Sequence, residues 1–174
     1  MKKIIFVIAA LLAIGAPLQA DILARYDFTG SVRTSSDTDP NSTATSFNDG
    51  AGLTGSYDLT HGNPAPSVSN PASLVGNSEA DAIAGNDYYT FTITPNAGMV
   101  LNLTTLTFDS AVFGNGQLTG TFFLRSSIDA FASTLGTNTS GLPTAFTTAS
   151  ISLAAPGFQN VASAFQFWVY IFSR

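Results

Sequence analysis

Tyr88-Tyr89-Thr90-Phe91-Thr92-Ile93-Thr94 alternates large apolar residues with threonines, and Pro95-Asn96 closes the run. A two-residue period puts Tyr89, Phe91 and Ile93 on one face and Thr90, Thr92 and Thr94 on the other, which predicts a half-buried β-strand. Similar runs predict strands at Gly120 to Ser126, Thr147 to Leu153 and Ala164 to Phe172. The last is apolar on both faces and expects cover on both sides. Asp21 to Phe28 also alternates, with Ile22, Ala24, Tyr26 and Phe28 opposite Arg25 and Asp27. In Met99 to Asp109 the apolar parity changes from Leu101 and Leu103 to Leu106 and Phe108, which predicts a bulge or corner at Thr104-Thr105.

Weaker segments fill the rest. Thr29 to Gly52 reads as a long polar loop with a short strand at Thr45 to Phe47, and Leu53 to Leu59 as another short strand. His61 to Ser73 holds Pro64, Pro66 and Pro71, which suit a surface loop. Helix-like pieces are short, around Glu79 to Ile83 and Ile128 to Leu135. Closely spaced strands separated by Gly, Pro and Asn predict an all-β, antiparallel β-sandwich.

Composition agrees. Charged residues are 10% of the 174, against roughly 25% in an average globular protein. Fourteen Phe, five Tyr and one Trp exclude a disordered tail, and the scarcity of charge excludes a helical bundle. There is no Cys, hence no disulfide framework and no thiolate chemistry.

Lys2 and Lys3, the apolar run from Ile4 to about Ile14, and Pro17-Leu18-Gln19-Ala20 have the order of a secretory signal peptide. We expect a helical signal at residues 1–20, cleaved between Ala20 and Asp21, and one domain over residues 21–174. The run falls short of the roughly 20 apolar residues that span a bilayer, so no transmembrane helix is expected after cleavage. Losing both lysines takes the formal charge from −5 to −7. Four arginines cannot neutralise phosphates over any length, so no nucleic-acid partner is expected.

Several motifs resemble a family. Arg25-Tyr26-Asp27-Phe28-Thr29-Gly30 and Gly62-Asn63-Pro64-Ala65-Pro66-Ser67 come early, then Asn86-Asp87-Tyr88-Tyr89-Thr90-Phe91-Thr92 and the run from Leu101 to Asp109. Leu124-Arg125-Ser126-Ser127-Ile128-Asp129-Ala130-Phe131 and Phe165-Gln166-Phe167-Trp168-Val169-Tyr170 follow. In this order they resemble the jelly-roll domains of bacterial exoproteins that carry a C-terminal PEP-CTERM sorting tag. The resemblance implies a jelly-roll-like sandwich, export to the cell surface, periplasm or exterior, and association with exopolysaccharide. The family's closing strand and sorting tag do not follow Phe172-Ser173-Arg174. That implies a C-terminally shortened domain in which the closing strand's partner, near Tyr26, keeps an open edge. The strand at Phe165 to Phe172, with no Lys, Pro or inward charge, would then invite self-association.

The residue types limit chemistry further. His61 is the one histidine, and no G-x-S-x-G elbow surrounds a serine, so no nucleophile has an evident base. Ordinary zinc sites are excluded on the same count. Asp37-Thr38-Asp39-Pro40-Asn41 begins like an EF-hand loop, but Ser42 stands for the required Gly and Asn48 for the bidentate Glu. Asp37 and Asp39 are the calcium candidates; no other cofactor is expected. Tyr57, Tyr88, Trp168 and Tyr170 are the candidates to face a glycan, with plain packing as their alternative. Asn41, Asn102 and Asn138 sit in N-x-[ST] sequons that a bacterial exporter leaves bare.

These readings lead to a secreted, non-catalytic surface or matrix protein, structural or weakly glycan-associated. The alternatives are an accessory carbohydrate-binding module and a polysaccharide hydrolase using Asp carboxylates.

Overall fold

The computed structural model describes residues 22–28, 32–36, 39–53, 55–58, 65–68, 77–110, 120–140 and 146–173. The strands are β1 (Ser42–Ala44), β2 (Asn48–Asp49), β3 (Gly55–Asp58), β4 (Ala65–Val68), β5 (Tyr88–Pro95), β6 (Thr105–Ser110), β7 (Gly120–Ser126), β8 (Gly136–Ser140), β9 (Thr147–Ser152) and β10 (Phe165–Ser173). One helix, α1 (Glu79–Gly85), precedes β5.

The protein is an all-β, antiparallel β-sandwich. Its large sheet runs β1-β5-β10-β7-β8, with β2 also paired to β5; β6 pairs with β9, and β3 with β4. β5, β10 and β7 are neighbours although distant in sequence, because the chain visits the β6–β9 pair between β5 and β7 and again between β8 and β10, whereas β7 and β8 are consecutive. Phe91, Ile93, Phe122, Leu124, Phe167 and Val169 of the large sheet form one core with Leu101, Leu103, Ile151 and Leu153. Leu106 and Phe108 pack against it from β6.

β10 satisfies both its faces. Phe165, Phe167, Val169 and Ile171 enter this core, while Tyr170 and Phe172 join Ala82 and Phe123 in a second cluster on the other side of the sheet. Helix α1 supplies Ala82 to that side. Ser78 caps the helix by accepting the Asp81 N–H, and the Asp81 carboxylate accepts the Ser78 hydroxyl at 2.7 Å in return. Asn86 ends it in the left-handed region at φ 59°.

Some expectations shift. Residues 22–28 join no ladder, although exposure still alternates: Arg25 and Asp27 face out, Ala24, Tyr26 and Phe28 half in. Arg25 N–H and C=O bond to Ser35 and Ser36 instead, and Phe28 sits at φ 53°. The strand expected at Thr45 to Phe47 is instead the link between β1 and β2 and belongs to neither, although the Thr45 N–H still bonds the Thr92 C=O. β4 lies within the expected 61–73 loop. Pro66 is tolerated there because β3 and β4 form a two-stranded hairpin, with Tyr57 opposite Pro66. The parity change at Thr104-Thr105 is a change of partner: Leu101 bridges Val161, and β6 starts at Thr105 against Ser152.

The expected helix at 128–135 is only a 3-10 turn at Ser127–Asp129. Ala130 and Phe131 follow in the left-handed region at φ 57° and 60°, which stops helix growth. The final strand is central, not an edge: β10 is paired to β5 on one side and β7 on the other.

Candidate functional site

The outer face of the large sheet, away from the β6–β9 layer, holds three of the four aromatic residues singled out by sequence. Opposed positions place Trp168 between Thr90 and Arg125, and Tyr170 between Tyr88 and Phe123. Tyr88 stacks on Trp168 with ring centroids 4.3 Å apart and planes 3° from parallel. Phe131 stacks on it at 3.7 Å and 15°. Tyr88 comes from β5 and Phe131 from the loop after β7, so the two rings cover opposite faces of the indole.

Tyr170 is only 2% exposed and stacks on Phe123 at 4.8 Å. Burial and the neighbouring Tyr88 push its hydroxyl up to about 12. It packs within the outer cluster of the sheet. Tyr88 and Trp168 remain half-buried. The Tyr57 side chain, Asp37, His61 and the Ala20–Asp21 junction lie outside the described residues or side chains.

A polar network fixes the stack. Arg125 Nη1 donates to the Phe131 carbonyl at 2.8 Å, and Nη2 lies 3.8 Å from Glu79 Oε2. That carboxylate also accepts the Thr134 hydroxyl at 2.9 Å. The guanidinium rests 5.8 Å from the Phe123 ring centroid. One cation thus ties α1, the 131–134 loop and β7 together. Sequence reading assigned Phe131, Arg125, Glu79 and Thr134 no such role; nothing in their spacing signals it.

Beside the stack the sheet is polar and uncharged. Thr43 lies opposite Thr94, Asn48 opposite Thr90, and Gln166 opposite Thr92. Thr43, Thr45, Asn48 and Thr94 are exposed; Thr92 and Gln166 are half-buried. These hydroxyls and amides form a floor in which the Thr45 hydroxyl accepts the Thr92 N–H and donates to the Ser46 carbonyl, and the Asn48 amide donates to that same carbonyl, leaving Thr43 and Thr94 as its exposed hydroxyls with no such bond.

The remaining candidates serve local structure. Asp39 accepts the Asn41 N–H and side-chain amide, and the Ser42 hydroxyl. Among the described residues no three His, Cys, Asp or Glu side chains gather as a metal would need. Asn102 Oδ1 accepts the Asn160 N–H at 2.8 Å, and Asn138 donates to Ser110 at 2.9 Å. The amides of the three sequons are thus engaged with the chain itself. A neutral groove of about 340 Å³ lies between Ser127 and the stretch from Gln159 to Phe165. No helix among the described residues is long and apolar enough to cross a membrane.

Comparison with family models, with curated proteins and with solved structures finds no match to this chain.

Proposed function

We propose that the protein is an exported, non-catalytic component of the bacterial envelope or extracellular matrix, structural in role and associated with neutral glycans. The observation that carries this reading is the uncharged floor of Thr43, Thr45, Thr92, Thr94, Asn48 and Gln166, bordered by the edges of Tyr88 and Trp168. Hydroxyls and amides both donate and accept, as sugar hydroxyls do. The indole has no open face for a sugar ring, so contact falls to the floor and the aromatic edges, which supports weak association. Asp39, Asp81 and Asp109 each hold the chain's own donors, which favours a binding role over a carboxylate mechanism.

Co-sedimentation with an insoluble neutral glucan and with an anionic polysaccharide tests the reading, with reducing ends assayed in the supernatant. Binding to the neutral polymer alone, without new reducing ends, is expected. Failure to sediment with it, or cleavage lost on Asp→Asn substitution, overturns the proposal. Export has its own test: Lys2→Glu with Lys3→Glu traps the precursor in the cytoplasm, and normal secretion of that variant contradicts the signal assignment.

A further inference from the structure

The sandwich carries a second hydroxyl face, on the opposite side from the first. Across the β6–β9 ladder Thr105 faces Ser152, Thr107 faces Ser150, and Asp109 faces Thr148. All six are exposed, while the alternating Leu106, Phe108, Ala149 and Ile151 turn inward. Strand geometry spaces successive outward side chains by about 6.6 Å, and cross-strand neighbours by about 5 Å. The result is a regular grid of five hydroxyls and the Asp109 carboxylate.

Charge narrows what such a grid fits. Asp109 accepts the Thr148 hydroxyl at 2.6 Å, and no cation lies in these three rungs. The six floor residues on the other face are uncharged, and Arg125, at the far end of the Asn48–Thr90–Trp168 row, is engaged by Glu79 and the Phe131 carbonyl. An anionic polymer meets an acidic chain of formal charge −5 and finds no cation in either set. An apolar partner finds no exposed apolar side chain in them. A neutral polyhydroxylated polymer is complementary to both.

We propose that the protein is bivalent. One molecule holds two neutral polysaccharide chains, one on the Thr43–Thr94 floor and one on the β6–β9 face, with the packed sandwich as the spacer. This rests on the glycan-associated reading above and adds valency to it. Two weak contacts on opposite sides cannot both grip one straight strand; they link neighbouring strands, and avidity then exceeds either affinity.

The test uses the chain lacking residues 1–20 and a soluble neutral mixed-linkage glucan. Retardation in a native gel containing the glucan reads binding, and the storage modulus of the solution reads cross-linking. Thr43→Glu with Thr94→Glu charges one face; Thr107→Glu with Ser150→Glu charges the other. Wild type is expected to be retarded and to stiffen the solution. Each single-face variant should keep retardation and lose at least tenfold of the stiffening, and the four-site variant should lose both. Melting curves, and the same sites changed to Lys, separate face-specific loss from misfolding. No retardation of wild type overturns the glycan reading itself. Retardation without stiffening, or stiffening that survives in a single-face variant, overturns bivalency while that reading stands.

Discussion

The Phe131 ring lies 3.7 Å from the indole of Trp168 and 15° from parallel to it, although the two residues belong to a loop and a central strand. Phe131 reaches that place from a left-handed backbone, with its carbonyl held by Arg125. The second cluster is therefore closed by side-chain stacking as well as by α1. Stacked aromatic pairs contribute about 0.5–1.5 kcal/mol beyond their area burial. Trp168→Ala removes two such pairs and should cost about 3 kcal/mol in urea unfolding, the low end for Trp→Ala because the residue is half-buried. Phe131→Ala should shift Trp168 emission to the red as one indole face meets water. Unchanged emission would contradict the stacked arrangement.

Three glycines make a graded test of backbone packing. A Cβ at Gly52 would lie 2.2 Å from both the Asp87 carboxylate and the Gly85 carbonyl, so Gly52→Ala should destabilise by about 3 kcal/mol or more. Gly98 has open space but sits at φ +82°, so Gly98→Ala should cost only about 1 kcal/mol of backbone strain. Gly157 meets only Ile128 at 3.5 Å, and Gly157→Ala should stay within about 0.5 kcal/mol of wild type. Equal denaturation midpoints for all three would contradict the packing around Asp87.

Alkaline titration reads the buried tyrosines. Burial pushes the Tyr26 hydroxyl up to about 12, and burial with the neighbouring Tyr88 does the same for Tyr170. Tyr89 is raised too, by burial first and then by the negative charge of Asp49. In the unfolded chain these groups lose their protons near pH 10. The stability they contribute is complete below about pH 10 and is lost as pH rises through their folded values, about 12 for Tyr26 and Tyr170. Unfolding free energy should therefore fall over that window, with tyrosinate absorbance lagging until the protein opens. Full tyrosinate absorbance at pH 11 in a still-folded protein would be the opposite result.

Much of the fold is legible in the chain because burial writes a two-residue period into β5 and β9 and a continuous apolar run into β7 and β10, which are covered on both faces. β8 is not: Gly136-Thr137-Asn138-Thr139-Ser140 has no apolar residue to show a period, and it is a strand because β7 pairs with it and Asn138 clamps it to Ser110. Residues 22–28 show the converse. Their alternation is real, yet the backbone polar groups of Arg25 go to Ser35 and Ser36, and Tyr26 and Phe28 anchor the segment through tilted and edge-on contacts with Phe47. At the site, Tyr88 and Trp168 stand out by type alone. Their covering by Phe131 depends on two left-handed residues, Ala130 and Phe131, that carry no glycine to announce them.

The central claim is that a neutral glycan meets the threonine floor of the large sheet, leaving the buried aromatic cluster untouched. Chemical-shift mapping of the isotope-labelled chain with soluble neutral gluco-oligosaccharide tests it directly. Thr43, Thr45, Asn48, Thr92 and Thr94 amides and methyls should move, with the Trp168 indole N–H beside them, while Tyr170 and Phe123 stay fixed. Shifts confined to the groove beside Ser127, or no shifts at saturating oligosaccharide, would contradict the account.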